Sequence, residues 1–323
     1  MRKTFKVAAL SVMLGGMLST GVVHAEERVF FGIATGGTGG TYYPLGGMLA
    51  QTITETAKLD GDRALSATAE TGNASVANAA LLGRKGIESA FIAADVLDAA
   101  YHGSGQFEGK KLGNLRALGA LYPETVQLVA QPEFKTFADL KGQSVSSGSP
   151  GSGQWQLLGD LLDAYGMNRD DVKEDYSSFT QSAEKLKDNN LGASLITAGT
   201  PTSSIVELSN GHAVSIIPLE GDAIDALRKA QPYYTTFTLP AGTYKGVDVD
   251  VNTIAVRAIW ATHADLPEDI AYAVTKALYE NTDALAKVHV KGKEITLKTA
   301  LDSVSIPLHP GAERYYREKG LIE

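Results

Sequence analysis

The chain has 323 residues, a formal net charge of −8 at pH 7, no cysteine and 44% hydrophobic residues. That length exceeds what one core usually handles and the apolar content supports two, so two domains are expected. The lack of cysteine excludes disulfide staples, thiolate metal sites, thiol catalysis and a lipid-anchored amino terminus, and the acidic balance argues against a nucleic-acid partner.

In chain order, Arg2, Lys3 and Lys6 precede an apolar run from Val7 to Leu18 and the small-residue pattern Val23-His24-Ala25. This is the layout of an export signal over residues 1–25, with a mature chain starting at Glu26. No later apolar run approaches the roughly 20 residues of a membrane helix, so a soluble periplasmic protein is expected.

From Val29 onward, short β-rich runs alternate with helical patterns, as in a parallel sheet covered by helices. Val29 to Ala34 reads as a strand, followed by a glycine-rich loop and a helix carrying Leu45, Met48, Leu49, Thr52 and Ile53 at helical spacing. Leu65, Ala67 and Ala69 mark a second strand, Val76 to Leu82 a second helix, and Ala90 to Ala93 a third strand. The long apolar stretch from Leu115 to Ala130, interrupted at Tyr122-Pro123, is placed as a first crossing into another lobe.

There the pattern restarts. Ser144 to Ser147 reads as a strand, Leu157, Leu158, Leu161 and Leu162 as one face of a helix ended by Gly166, and Ala193 to Ala198 as a strand. Thr253 to Thr262 suggests a return crossing, and Asp265 with Glu268 brackets Pro267 as a capping box for a helix whose buried side is Ile270, Val274, Ala277 and Leu278. The expectation is two α/β lobes joined by two hinge strands around a cleft, with residues 26–125 and 246–323 in lobe I and 126–245 in lobe II.

Four helix starts are candidate ligand contacts. The first is Gly36-Gly37-Thr38-Gly39-Gly40-Thr41-Tyr42-Tyr43-Pro44, where glycines admit close backbone approach and free peptide N–H groups carry partial positive charge, an anion site that needs no arginine. The second, Ser146 through Gln154 with Ser152 and Gly153, occupies the equivalent place in lobe II. A third is Thr200-Pro201, with Thr200 as N-cap and Pro201 at the first helical position, and a fourth is Thr71 to Ser75, which holds Asn73. All four follow strands, the side on which open α/β sheets gather ligands.

Asp95 follows the apolar strand Phe91-Ile92-Ala93, and two roles stand open for it: accepting from a ligand, or capping the helix of Val96, Leu97 and Tyr101. Catalytic and metal motifs fail by position. A dinucleotide fingerprint begun at Gly37 has Tyr42 in its sixth place, neither glycine-rich loop ends in lysine, and no serine stands in a Gly-x-Ser-x-Gly elbow. The six histidines never pair at a metal-binding spacing, and His309 sits in the rigid turn Pro307-Leu308-His309-Pro310-Gly311 before a helix from Ala312 to Lys319. With no nucleophile, base pair or metal cluster, neither an enzyme nor a cofactor is expected.

Taken in order, Thr38 to Pro44, Asp139-Leu140-Lys141-Gly142 with the loop through Gly153, Ala198-Gly199-Thr200-Pro201, Leu266-Pro267-Glu268, and His309-Pro310-Gly311-Ala312 with Tyr315 to Gly320 resemble the TAXI receptors, solute-binding proteins of tripartite ATP-independent periplasmic (TRAP) transporters. The resemblance spans nearly the whole mature chain. It implies a type II periplasmic-binding-protein fold, a clamshell that hands its ligand to a membrane permease driven by an ion gradient. It further implies glutamate, glutamine, 2-oxoglutarate or a related small carboxylic acid as ligand. By position, Thr38, Gly39, Gly40, Thr41, Tyr42, Ser75 and Asp95 would line one side, with Ser152, Gly153 and Thr200 opposite, and Tyr42 would cover the ligand while donating to its carboxylate.

Two departures bear on the ligand: Gly192-Ala193 stands where the family often has aspartate-alanine, and Asn73 where it often has glycine or serine. The choice between an amino acid and a plain dicarboxylate therefore stays open. A monomer suits a clamshell that presents both lobe tips to one permease. A sensor module signalling to a membrane kinase would share the scaffold and is the alternative reading.

Overall fold

The protein is described by a computed structural model covering residues 27–61 and 63–323. The export signal expected over residues 1–25 lies outside the described residues.

The first α/β unit comprises β1 (Glu27–Ala34), α1 (Tyr42–Thr56), β2 (Arg63–Glu70), α2 (Ser75–Gly83), β3 (Ser89–Ala93) and α3 (Ala94–His102). β1 lies between β2 and β3 and is parallel to both. The crossovers are helical because Leu45, Leu49 and Ile53 recur on one side of α1 and are fully buried, whereas β3 reads Ser-Ala-Phe-Ile-Ala and is buried on both faces.

β4 (Leu115–Ala130) is one strand of 16 residues, unbroken at Tyr122-Pro123. Pro123 is tolerated because the register against the partner strand shifts there, so the N–H that proline lacks falls at an irregularity in the ladder. The second unit then follows as β5 (Ser144–Ser146), α4 (Gln154–Ala164), β6 (Lys173–Asp175), α5 (Phe179–Lys187), β7 (Ala193–Ala198), α6 (Ser203–Gly211), β8 (Ser215–Ile217), α7 (Asp222–Ala230) and β9 (Thr235–Leu239). The chain returns along β10 (Val251–His263) and ends with α8 (Glu268–Glu280), α9 (Thr282–Ala286) and α10 (Pro310–Glu318).

The strand order is β2-β1-β3-β10-β4-β7-β5-β6, with β8 also on β4 and β9 on β10. The two halves repeat one plan: a central strand, β1 or β5, lies parallel to two neighbours, β2 and β3 or β6 and β7, and an antiparallel long strand adds beyond the inner neighbour. Each long strand serves both halves. Ala258–Thr262 of β10 pairs with β3 and Val251–Ala255 with β9, while Leu115–Thr125 of β4 pairs with β10 and Thr125–Ala130 with β7. β4 and β10 are therefore the hinge strands, and the chain has the type II periplasmic-binding-protein fold of two α/β lobes.

Behind the first sheet, Trp260, Phe31, Phe91, Tyr315 and Tyr316 pack with α1, α8 and α10 in one buried cluster. Gly119 in β4 makes that packing possible: the Tyr279 and Tyr316 hydroxyls donate to Ala120 O and Leu118 O, both at 2.7 Å, and a Cβ at Gly119 would lie 2.2 Å from each hydroxyl. Two expected caps differ. α8 starts after Pro267 with no side-chain cap, because Asp265 pairs with Lys85 and Glu268 with Arg314. α10 begins at Pro310, two residues earlier than expected, with His309 Nδ1 accepting from Gly311 N.

Candidate functional site

Between the lobes lies a cavity of about 420 Å³, within the range of small-molecule sites. Its first wall is the loop Gly36–Thr41 running into α1, beside Gly72–Ser75 running into α2 and the start of α3 at Asp95. The opposite wall is Ser149 and Ser152–Gln154 leading into α4, and Ser178–Gln181 leading into α5. Thr197 and Ala198 of β7, Val256 of β10 and Glu124 of β4 complete it, so both hinge strands reach the cavity. Five helices thus turn their amino ends, with partial positive charge, toward one space, although Ala77 N in α2, Val96 N in α3 and Gln181 N in α5 already have acceptors.

The loops also touch across that space. Ser204 N donates to Gly39 O at 3.2 Å, Ala77 N to Gly151 O at 2.9 Å and Thr41 Oγ1 to Gly199 O at 3.2 Å. A Cβ on Gly39 would meet Thr180 Oγ1 at 2.6 Å, so only glycine lets the loop sit this close to α5. At the foot of α2, Ala74 adopts φ +65° and ψ −148°, a strained conformation for a residue with a Cβ, held where the chain turns into the helix facing the cavity.

Of the residues singled out from sequence, Thr38, Gly39, Gly40, Thr41, Tyr42, Asn73, Ser75, Asp95, Ser152 and Gly153 line this cavity together. Thr200 and Pro201 do not. The Thr200-Pro201 bond is cis, α6 begins at Ser203, and the position before the helix is Thr202. The hydroxyls there are committed inward: Thr200 Oγ1 donates to Thr125 Oγ1 at 2.6 Å, and Thr202 Oγ1 donates to Gly199 O and accepts from Gln127 Nε2. The Pro201 carbonyl accepts from His289 Nε2 at 3.0 Å, on the side of the carboxy-terminal segment. The place expected for this helix start is taken instead by α5, whose Ser178 and Gln181 form a reciprocal capping box, a Ser-x-x-Gln signal that was present in the sequence.

Tyr42 differs from expectation in its partner. Its ring packs edge-on against Phe91 and its hydroxyl donates to Glu124 Oε2 at 2.7 Å, so the carboxyl it serves belongs to the protein. Asp95 is not the cap of α3, which is Ala93: as the second residue of that helix its Oδ1 accepts from Val96 N, while Oδ2 accepts from Tyr234 Oη at 2.8 Å. Ser75 Oγ accepts from Ala93 N, tying α2 to the end of β3.

Sequence reading passed over Glu124, which follows a proline in an apolar strand and carries no motif. It is 3% exposed. Burial drives its carboxyl up to about 8, against the hydrogen bond from Tyr42, and Asp95 raises it further. Burial likewise raises Asp95, opposed by the hydrogen bond from Tyr234. Among the described residues the lining carries three carboxyls, Asp95, Glu124 and Glu184, and no lysine, arginine or histidine. Ser152 Oγ, Gln154 Oε1 and Thr197 Oγ1 are buried on its wall without partners among the described residues, which disfavours an apolar occupant and favours one that supplies hydrogen bonds. No group of three or more metal-ligating side chains occurs among the described residues.

The family model described as NMT1-like matches residues 33–320. Among solved structures, a protein from Bordetella bronchiseptica aligns over 90% of this chain and 98% of its own with a TM-score of 0.56 at 15% identity. The ligand-binding component of an ABC-type import system from Staphylococcus aureus aligns over 92% and 93% with a TM-score of 0.50 at 9% identity. The periplasmic aliphatic sulphonate binding protein of Escherichia coli covers 91% of this chain and 84% of its own, with a TM-score of 0.48 and 14% identity. At such identities the first two speak to the fold alone.

Proposed function

We propose that this chain, which belongs to the NMT1-like family, is the extracytoplasmic solute-binding protein of a TAXI-type TRAP transporter. It captures a small carboxylic acid in the cavity between its lobes and delivers it to a membrane permease. One observation carries this reading: five helix amino ends, from both lobes, converge on one cavity whose wall holds buried polar atoms without partners among the described residues. Such a cradle holds a carboxylate by backbone N–H groups and hydroxyls without a fixed cation.

Closure follows from geometry. The cross-cleft contacts Ser204–Gly39, Ala77–Gly151 and Thr41–Gly199 exist only when the lobes meet, so a ligand that bridges both walls favours this form by its differential affinity for it. The lobe division that goes with this reading places 26–125 and 246–323 in one lobe and 126–245 in the other, with residues 1–25 an export signal to the periplasm. No helix among the described residues is long and apolar enough to cross a membrane, consistent with a partner that is delivered to a permease and not built into it. The role is capture without chemical change.

Titration calorimetry of the purified mature protein against C4 to C6 carboxylic acids and amino acids tests the proposal. Saturable binding of one molecule per chain is the expected result. Silence across the whole panel would sink it.

A further inference from the structure

We propose that Glu124 is a specificity-determining residue whose free carboxyl oxygen receives the ammonium of a zwitterionic ligand, so that the cavity takes an amino acid in preference to a plain dicarboxylate. The assignment rests on the solute-binding reading above and narrows its ligand.

Geometry supplies the first support. Glu124 Oε2 is held by Tyr42 Oη at 2.7 Å, and Oε1 makes no hydrogen bond among the described residues, although the residue is buried and lines the cavity. Tyr42 is the first residue of α1, so this half-used carboxyl stands one tyrosine side chain from a helix amino end. A molecule with a carboxylate toward the helix start and an ammonium toward Glu124 satisfies both at once. A dicarboxylate satisfies the helix start but forms no ion pair with Glu124, and it meets like charge there whenever Glu124 is ionised.

Charge supplies the second. Asp95 and Glu184 share the lining with Glu124, and no basic side chain offsets them. The groups around Glu124 are Tyr42 from α1, Tyr122 on its own strand and Asp95 from α3, all neutral or anionic. In that setting an isolated carboxyl retains its proton, consistent with the raised value near 8. An arriving ammonium favours the carboxylate, so capture releases a proton near neutral pH. Tyr42 then remains as donor to the ionised oxygen and preserves the orientation of the carboxylate.

Matched pairs test this: glutamate against glutarate and 2-oxoglutarate, aspartate against succinate, each titrated at pH 7 in two buffers of different ionisation enthalpy. The amine-bearing member is expected to bind at least about tenfold tighter with release of a fraction of a proton, and Glu124→Gln, which keeps shape and an acceptor for Tyr42, is expected to lose both the preference and the release. Glu124→Asp, one methylene shorter with the same charge, reduces the preference and serves if the amide variant does not fold. Equal affinity for both members of each pair, or a preference and proton release unchanged in the Glu124 variants, overturns the assignment while leaving the solute-binding reading intact. Absence of binding for every pair in the wild-type protein overturns that reading, and the assignment with it.

Discussion

Tyr234 Oη donates to Asp95 Oδ2 at 2.8 Å, joining the segment that enters β9 to the first turn of α3. The tyrosine is 3% exposed, and Asp95 spends its other oxygen on Val96 N. The pair is therefore a part-buried hydrogen bond between α3 and the approach to β9, of the kind that contributes about 1 kcal/mol.

Tyr234→Phe removes that link and leaves the ring in place. The loss of the link is expected to fall on closure: ligand affinity drops about tenfold for roughly 1.4 kcal/mol, with a larger radius of gyration in solution scattering of the ligand-bound protein. Unchanged affinity and unchanged compaction would show that the lobes close without it.

Gly39→Val places branched carbons where Thr180 Oγ1 stands 2.6 Å, and Ser204 Cβ 3.3 Å, from an added Cβ. Those neighbours belong to the opposite lobe, so the clash is relieved by opening the cleft and not by unfolding either core. Thermal stability without ligand should stay within about 0.5 kcal/mol of wild type, typical of a substitution that disturbs no core, whereas calorimetric binding is lost.

Ser152 Oγ is buried without a partner among the described residues. Ser152→Ala deletes an unmet polar atom, so urea unfolding of the free protein should show no loss, or a gain of up to about 1 kcal/mol. In the ligand titration the same variant should bind about fivefold or more weakly, the cost of a hydrogen bond made only to ligand. A variant that loses stability and keeps affinity would place the hydroxyl in the fold instead.

Glu124 sets a pH dependence of stability whose sign follows from its raised value near 8. Below the unfolded carboxyl's value of about 4.3 both states hold the proton and nothing is lost. Between about 4.3 and 8 the folded state keeps the proton that the unfolded state has released, so this group's contribution falls as pH rises, by a few kcal/mol in all, and levels off above 8. Glu124→Gln should flatten that segment of a stability profile measured by denaturant titration from pH 4 to 9, making the variant relatively more stable at the alkaline end.

Gly119→Ala forces a methyl onto the two tyrosine hydroxyls that lock α8 and α10 to β4. Overpacking and the displacement of two buried hydrogen bonds should together cost about 2–4 kcal/mol in chemical denaturation, well above the effect of Gly39→Val.

The two-lobe plan is legible in the alternating β-rich and helical runs of the sequence, because burial on both faces of a parallel strand and on one face of a covering helix writes itself into residue order. The glycine-rich loop at Gly36–Tyr42 and its counterpart at Ser149–Gln154 were equally legible, since close approach and helix starts have local signatures. Thr200-Pro201 shows the limit of that method. Its threonine and proline have the composition of a helix start, yet the Thr200 hydroxyl goes to Thr125, 75 residues away, and the helix starts later. Ser178-Phe179-Thr180-Gln181 is the converse: its capping box is local, but its place on the cavity wall depends on how the second α/β unit lies against the first.

What the amino-acid order determined alone is the alphabet of this protein: strands, helices, their sequence, and the anion-friendly amino ends. Which of those ends meet, and that a carboxyl in a hinge strand sits among them, was decided only by the tertiary fold. The reason is physical. Helix and strand formation depend on neighbours within a few residues, whereas the protonation of Glu124 depends on Tyr42 and Asp95, brought to it by separate crossovers, and on the water their packing excludes.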